Sequence, residues 1–214
     1  MAASTTSPAA GGRNARRKAA TRAAIVTAAD RLFAEHGYIE TTMDDISREA
    51  DVAVRTIYLH FDSKPAIFLA YFDDWLNAFV DRLCERPVDE PIPHAVHAAL
   101  GRMSETGWVD RLFIEMQVPH PTVQFIGDGS PEIAGHIMHS WVRAQERLTA
   151  DAFARGDFAP DSLVPRARAA SVFAIWVATI LAARAAYADG RVPPHDSGNS
   201  LGERIAEELV RQQG

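Results

Sequence analysis

Residues 21–75 read TRAAIVTAADRLFAEHGYIETTMDDISREADVAVRTIYLHFDSKPAIFLAYFDDW, and this stretch decides the fold. Its first apolar residues recur at the spacing that places them on one face of a helix. They are Ile25, Ala28, Ala29, Leu32 and Phe33. We expect this first helix to begin near Arg16 and to end at Gly37, a residue suited to the left-handed position after a helix.

Two short helices follow the first one. Thr42 is predicted as the N-cap of the second helix, with Asp45 completing a capping box three residues later. Asp51 should end that helix, and residues 53–60 should form the third. Three short helices with a tight turn before the last form the helix-turn-helix plan, which places one helix in the major groove of DNA.

The rest of the chain also has helical periodicity. Asp62-Ser63-Lys64-Pro65 is a helix-start signal, and one long fourth helix is predicted from there to Cys84. Pro87, Pro91 and Pro93 then mark a domain boundary. Beyond it the pattern predicts five more helices, at residues 93–105, 108–118, 131–155, 166–189 and 198–212. The predicted fold class is therefore all-α.

Composition restricts the class of protein. The chain has 214 residues and a single cysteine, Cys84, so it cannot form an internal disulfide, and its composition is that of a globular protein. The first twelve residues contain no apolar segment typical of a secretory signal. The longest apolar run without charge, residues 169–183, is shorter than the ~20 residues that span a bilayer. We expect a soluble, cytoplasmic protein without membrane association.

Charge is distributed unevenly along the chain. The net charge is −6, yet residues 1–22 contain no acidic residue and five basic ones. These are Arg13, Arg16, Arg17, Lys18 and Arg22. A basic segment on an otherwise acidic chain favours a polyanionic partner at that end. We therefore predict a flexible basic arm over residues 1–18.

Residues 21–75 resemble the DNA-binding domain of the tetracycline-repressor family. The resemblance is carried by Ala28-Ala29, Leu32-Phe33, Gly37-Tyr38, Thr41-Thr42, Ile46, Ala50, Ile57-Tyr58, His60-Phe61 and Ser63-Lys64. It implies a helix-turn-helix domain over residues 19–79, with the motif at about 42–61, and a helical ligand-binding and dimerisation domain over 80–214. The chain departs from the family pattern where Asp51 replaces a glycine, Ala53 a small polar residue and Pro65 an acid.

The resemblance also implies which residues contact DNA, and their chemistry suits that role. Arg55 can form a bidentate pair with guanine, and Thr56 can contact a base edge. Tyr58, His60 and Lys64 suit phosphate contacts, and Thr42 can present a helix N-terminus to a phosphate. The complete predicted set is Thr42, Ala53, Val54, Arg55, Thr56, Tyr58, His60 and Lys64.

The resemblance implies a ligand cavity and a dimer interface in the C-terminal domain. Soft apolar and polar residues that suit such a cavity are His97, Trp108, Phe113, Glu115, Met116, Phe125, Met138, His139 and Trp141. The helix over 166–189 is apolar nearly all round, so it needs a partner on every side. The predicted interface comprises Phe173, Trp176, Val177, Ile180, Leu181, Leu201, Ile205 and Leu209.

These observations predict a homodimeric repressor that binds a pseudo-palindromic operator and is released by a small-molecule effector. The sequence contains no catalytic or cofactor-binding motif that we identify, so we expect neither an enzyme nor a cofactor or metal. Two alternatives stay open at this point. One is a helical metalloprotein or metalloenzyme that uses His94, His97, Glu115, His136 and His139, and the other is a dimeric adaptor without a ligand.

Overall fold

The computed structural model describes residues 8–106 and 130–188, together with 204, 205, 207, 208 and 211. All regular structure in this part of the chain is helical, which confirms the predicted fold class. Its helices are α1 (Pro8–His36), α2 (Met43–Glu49), α3 (Val54–Tyr58), α4 (Lys64–Phe68), α5 (Ala70–Cys84), α6 (Ile92–Glu105), α7 (Pro131–Arg155) and α8 (Val164–Ala188).

The chain forms two compact units, which we call the head unit (Met1–Ala70) and the body unit (Tyr71–Gly214). The division lies nine residues before the end of the domain predicted over 19–79. The head unit buries one apolar cluster drawn from all of its helices. This cluster contains Ile25, Val26, Ala29, Leu32, Ile46, Ile57, Phe61, Ala66, Ile67 and Ala70.

Helix α1 is longer than its apolar stripe. It begins at Pro8, so residues 8–18, predicted as a flexible arm, are helical instead. Alanine, arginine and lysine dominate this segment and favour helix, and a proline is tolerated in a first helical turn. At the other end Gly37 adopts φ 82° and donates its N–H to the carbonyl of Phe33 at 3.0 Å, as expected of a C-terminal glycine.

The turn between α2 and α3 is held by local hydrogen bonds. Thr42 Oγ1 accepts from the Asp45 N–H at 3.2 Å, and Asp45 Oδ2 accepts from the Thr42 N–H at 2.9 Å, which confirms the capping box. Asp51 then adopts φ 51°, in the left-handed region that glycine favours. Val52, which follows Asp51, is bonded twice to Ser47. The Ser47 hydroxyl donates to the Val52 carbonyl oxygen at 2.6 Å, and the Val52 N–H donates to the Ser47 carbonyl oxygen at 3.1 Å.

The predicted long fourth helix is divided at Leu69. Ser63 caps α4, and Lys64 and Pro65 open it, as predicted. Leu69 has ψ 16°, which is far from the helical value near −42° and ends α4 before α5 begins. Ile67 is buried in the cluster of the head unit, whereas the ring of Phe72 contacts that of Trp176 in the body unit. The chain therefore changes from one core to another at this point.

In the body unit, α7 has the bounds that the sequence predicts, and α6 and α8 begin within two residues of theirs. The described residues 204, 205, 207, 208 and 211 are helical. The predicted helix at 108–118 lies outside the described residues. The core between α7 and α8 is aromatic: the Trp141 ring lies 4.8 Å from that of Trp176 and 5.4 Å from that of Phe173.

This packing corrects part of the predicted dimer interface. Trp176 and Ile180 are buried within the single chain, and Trp176 packs against Trp141 of α7 rather than needing a second copy. Phe173, Val177 and Ile205 are half-buried, and Leu181 is 55% exposed. Leu201 and Leu209 lie outside the described residues.

The stretch Val164–Ala182 of α8 is long and apolar enough to cross a membrane by length and composition. Two observations favour a helix packed in the body unit instead. Arg166 and Arg168 lie within it, and charged residues are rare in membrane-spanning helices. Its largest side chain, Trp176, is packed against Trp141.

Candidate nucleic-acid interface

Helix α3 is fixed in the head unit by one side chain and presents others to solvent. Ile57 is completely buried in the core cluster. Arg55 is exposed and Tyr58 is 52% exposed, while Thr56 is half-buried. Because Ile57 holds the helix, the side chains on its outer side project from a defined position. This is the arrangement that a recognition helix requires.

Arg55 is chemically the most versatile of these exposed side chains. Within the described part of the chain, it forms no ion pair or hydrogen bond. All five of its N–H donors are therefore available to a partner. A guanidinium with two parallel donors matches the O6 and N7 acceptors of guanine.

The residues before α3 contribute backbone rather than side-chain chemistry. Ala53 is the N-cap and has no side-chain capping bond, as its methyl group dictates. Its carbonyl accepts from the N–H of Thr56 at 2.7 Å and from that of Ile57 at 3.2 Å. Val54 is half-buried. These two residues shape the start of the helix and offer no polar side chain to DNA.

Thr42 is exposed, but its hydroxyl is already engaged. It accepts from the Asp45 N–H and donates to the Asp45 carboxylate. These bonds to Thr42 lower the pKa of Asp45, and the charge of Arg48 adds to the effect. A second acid, Asp44, lies in the same helical turn. This end of α2 is therefore occupied by carboxylates, which disfavours the phosphate contact predicted for Thr42.

Lys64, which was predicted to contact a phosphate, is engaged within the head unit. Its Nζ donates to the carbonyl oxygens of Tyr38 at 2.9 Å, Thr41 at 3.0 Å and Ile39 at 3.4 Å. It also lies 4.3 Å from the centroid of the Tyr38 ring. An ammonium has three hydrogens to donate, and the loop between α1 and α2 accepts them. Lys64 therefore ties α4 to that loop.

His60 lies just after α3 and is half-buried. Its pKa is held below the ordinary value of 6.5 by burial and, to a lesser extent, by the positive charges of Lys18 and Arg22. The guanidinium carbon of Arg22 lies 5.2 Å from the centroid of the Phe61 ring, next to His60 in the chain. The structure thus brings Arg22 of α1 close to the end of α3, a contact that sequence spacing does not indicate.

The predicted ligand-binding residues are only partly brought together. Trp141 is fully buried, whereas Met138 is 51% exposed and His97 and His139 are also exposed. The predicted residues Trp108, Phe113, Glu115, Met116 and Phe125 lie outside the described residues.

Sequence reasoning missed one polar cluster in the body unit. Asp73 on α5 accepts from the Ser140 hydroxyl at 2.7 Å through Oδ1, and its Oδ2 lies 2.8 Å from His136 Nε2. His136 and Ser140 are four residues apart on α7 and so share one face. The spacing of His136 and Ser140 could be recognised in the sequence, but their shared partner on α5, Asp73, could not.

The metal-binding alternative receives no support from this part of the molecule. Among the described residues, no three side chains of His, Cys, Asp or Glu come together as metal ligands. His136 is engaged by Asp73, and His94 and His97 are exposed.

Comparisons with known proteins find a match for the head unit. Residues 25–71 match the family model of bacterial regulatory proteins, tetR family. The chain is 37% identical over 59 residues to the biofilm operon icaADBC HTH-type negative transcriptional regulator IcaR of Staphylococcus epidermidis, covering 28% of this chain and 32% of that protein. It is 36% identical over 61 residues to the fatty acid metabolism regulator protein of Bacillus subtilis, covering 28% and 31%.

The chain thus matches about a third of the length of these curated relatives. Among solved structures, it resembles the fatty acid degradation regulator FadR of Bacillus halodurans, with 17% identity, TM-score 0.48 and 97% coverage of both chains. It also resembles Thermus thermophilus FadR in complex with lauroyl-CoA, with 18% identity, TM-score 0.49 and coverage of 88% and 93%. The proteins named here are described as regulators.

Proposed function

We propose, since residues 25–71 match the family model of bacterial regulatory proteins, tetR family, that the whole chain is a transcriptional regulator that binds operator DNA and acts as a repressor. The observation that carries this proposal is the outer side of α3. There Arg55 is exposed and unpaired among the described residues, next to the completely buried Ile57. A rigid short helix with an available guanidinium suits direct reading of a guanine. We place the protein in the cytoplasm, with the DNA that it binds.

In this proposal Arg55 and Thr56 read base edges, while Tyr58 and His60 contact the phosphate backbone. Lys64 and Thr42 act indirectly. Lys64 holds the loop between α1 and α2, and Thr42 caps α2. Their substitution should therefore change the stability of the head unit more than its contacts with DNA.

A homodimer would place two copies of α3 on successive major grooves, so we propose an operator with two related half-sites. The buried positions of Trp176 and Ile180 exclude them from the interface, so the exposed side of α8 is the better candidate. Several of the exposed residues of α8 recur at helical spacing, among them Ala167, Ala170, Ser171, Ala174, Ala178 and Leu181. Small residues allow two helices to approach closely, and Leu181 adds apolar area.

In the described part of the body unit, Trp141 is a buried feature that suits a small-molecule effector. Trp141 Nε1 is buried and has no hydrogen-bond partner, and a buried unpaired N–H is costly. Around it lie the rings of Phe173 and Trp176. We therefore propose an effector with an apolar body and one acceptor that Trp141 can reach. Binding would favour a state with lower DNA affinity.

The effector proposal can be tested by NMR on the indole N–H of Trp141, assigned with W141F. The probes are decanol, methyl benzoate and camphor, each apolar with one acceptor. A probe that releases DNA should shift this resonance, and W141F should weaken its binding. Release of DNA by a probe without any shift at Trp141 would place the effector site elsewhere.

DNA binding is tested with a duplex recovered by selection from a random pool, and Arg48 offers a matched control. Arg48 is exposed on α2 and already paired with Asp45. Arg55→Ala should weaken binding by about 1–3 kcal/mol per half-site, whereas Arg48→Ala should leave it within about threefold. Equal losses for the two variants would remove the special role of Arg55. Failure of the wild-type chain to enrich any duplex would overturn the proposed function.

A further inference from the structure

The body unit contains a cavity of about 50 Å³ that is partly open to solvent. It lies where α5 and α7 end and where α6 and α8 begin. Trp141 is not among the residues that line it, since it lies seven positions before the lining residue Leu148, about 10 Å along α7. The apolar part of the lining includes Leu83, Val88, Ala95, Leu148, Ala152 and Val172.

Three arginines also line this cavity, and two of them are paired with acids. Arg86 donates to the Glu90 carboxylate from Nε at 2.8 Å and from Nη2 at 2.7 Å. Arg155 donates from Nε to the Asp151 carboxylate at 2.9 Å, and from Nη1 to the carbonyl oxygen of Arg86 at 3.0 Å. The charges of these two arginines are therefore balanced at the cavity itself.

The third arginine, Arg168 of α8, is not balanced in this way. Its Nη2 donates to the carbonyl oxygen of Glu90 at 2.8 Å, and it forms no ion pair within the described part of the chain. The side chain is half-buried, and burial lowers the pKa of Arg168 although the nearby charges of Asp89 and Glu90 oppose this effect. A guanidinium has five N–H donors. The bond to Glu90 thus fixes Arg168 and leaves further donors for an anion.

Two helices that begin at the cavity add to the positive potential around Arg168. Neither α6, which starts at Ile92, nor α8, which starts at Val164, has an acidic residue in its first turn. The N-cap of α6, Pro91, makes no side-chain capping bond. Because the N-terminus of a helix carries a partial positive charge, both helix starts favour an anion nearby. They strengthen a site that the cavity and Arg168 define.

We propose that this cavity binds a small organic carboxylate, with the carboxylate on Arg168 and a short alkyl chain against the apolar lining. Its volume limits the chain to a few carbon atoms, since a cavity of about 150 Å³ accommodates benzene. Residues of α5, α6, α7 and α8 all line the cavity, so the bound molecule joins four helices. This site is separate from the proposed effector site at Trp141, and its occupation does not require DNA.

The first experiment measures binding of butyrate to the full chain by saturation-transfer NMR. Butyramide is the matched neutral probe, because it has the same shape without the charge. Hydrogen bonds to charged groups are stronger than those to neutral groups, so butyrate should bind about fivefold more tightly or better. Acetate keeps the charge but loses two methylene groups, and should bind at least about threefold more weakly than butyrate. Equal binding of butyrate and butyramide, or no binding of butyrate at millimolar concentration, would overturn the proposal.

The second experiment repeats these titrations with arginine variants of α8. Arg168→Gln should weaken butyrate about fivefold or more and leave butyramide within about twofold. The control is Arg166→Gln, because Arg166 is exposed on the same helix, does not line the cavity and lies over the ring of Phe153. It should bind butyrate as wild type does. Equal losses for the two variants, or none for Arg168→Gln, would show that Arg168 does not hold the carboxylate.

Arg168→Lys covers the case in which Arg168→Gln does not fold. It retains the charge but not the planar fork, so its affinity for butyrate should fall below that of wild type while its preference over butyramide persists. Loss of that preference in a folded Arg168→Lys variant would contradict the proposed contact.

The third experiment fills the cavity without changing an arginine. Ala152 of α7 lines the cavity, so Ala152→Leu should abolish butyrate binding. Ala150→Leu, at an exposed position of the same helix, should leave it unchanged. Circular dichroism verifies that both variants fold. Unchanged butyrate binding by a folded Ala152→Leu variant would place the carboxylate elsewhere on the protein.

Discussion

Lys64 lies 4.3 Å from the centroid of the Tyr38 ring and donates from Nζ to the Tyr38 carbonyl oxygen at 2.9 Å. One side chain thus binds both the ring and the backbone of a residue 26 positions earlier. Its further bond to Thr41, at 3.0 Å, lies directly before the N-cap of α2. This contact orients the start of the helix-turn-helix motif and explains why Lys64 is a structural residue of the head unit.

The chain contains only two lysines, Lys18 and Lys64, and they should respond to substitution in opposite ways. Lys64→Met leaves half-buried carbonyls without a donor, so it should lower the free energy of unfolding by about 1–3 kcal/mol. Its salt slope for DNA binding should stay unchanged. Lys18→Met should leave stability within about 0.5 kcal/mol and lower the salt slope. Urea unfolding and anisotropy measure both quantities, and a reversed pattern would return Lys64 to the phosphate contacts.

Asp51 occupies a backbone conformation with φ 51°. Asp51→Gly should therefore stabilise the protein by about 0.5–1 kcal/mol, because glycine adopts this region without a steric penalty from Cβ. The matched control, Asp44→Gly, places glycine in the first turn of α2 and should destabilise by a similar amount. Thermal unfolding of both variants gives the answer. Destabilisation by both would mean that the aspartate side chain stabilises this turn.

The carboxylate of Asp73 connects α5 to α7 through Ser140 and His136. Asp73→Ala should cost about 1–3 kcal/mol, because it leaves the buried Ser140 hydroxyl without its acceptor. The neighbouring control, Asn77→Ala, removes an exposed side chain of α5 and should change stability by less than about 0.5 kcal/mol. In a double-mutant cycle, Asp73→Ala and Ser140→Ala should show coupling of about 0.5 kcal/mol or more. Additive effects would mean that the hydrogen bond contributes nothing.

The exposed side of α8 should carry the homodimer. Leu181→Glu changes a residue that is 55% exposed in the single chain, so it should produce a folded monomer. Trp176→Glu places a charge in the core and should unfold the body unit. Ala150→Glu, on the exposed surface of α7, should stay dimeric. Sedimentation and circular dichroism distinguish these results, and a folded, dimeric Leu181→Glu variant would show that the interface lies elsewhere.

The parts of the fold that the sequence predicts are those set by local rules. Thr42 and Asp45 are three residues apart, and Gly37 ends a helix by its own conformation, so both were recognisable from neighbouring residues. The start of α7 follows from a serine cap and a proline in the first turn. In each case the stabilising contacts lie within one helical turn.

The errors concern contacts between residues distant in sequence. The partners of Lys64 lie 23 to 26 positions earlier, so its ammonium could be taken for a free surface charge. Trp176 was assigned to a second copy because its partner Trp141, on another helix, could not be identified from periodicity. The first turns of α1, from Pro8, are rich in alanine and have no apolar stripe. A search for apolar periodicity therefore does not detect them.

The central claim is that α3 reads DNA through Arg55 in a dimer. The most direct measurement is selection of bound duplexes from a random pool with wild type and Arg55→Ala at one fixed salt concentration. We predict that wild type enriches two inverted half-sites about one helical turn or slightly more apart. Arg55→Ala should lose preference at one base pair in each half. An unaltered consensus for Arg55→Ala, or a wild-type consensus without inverted repeats, would contradict this account.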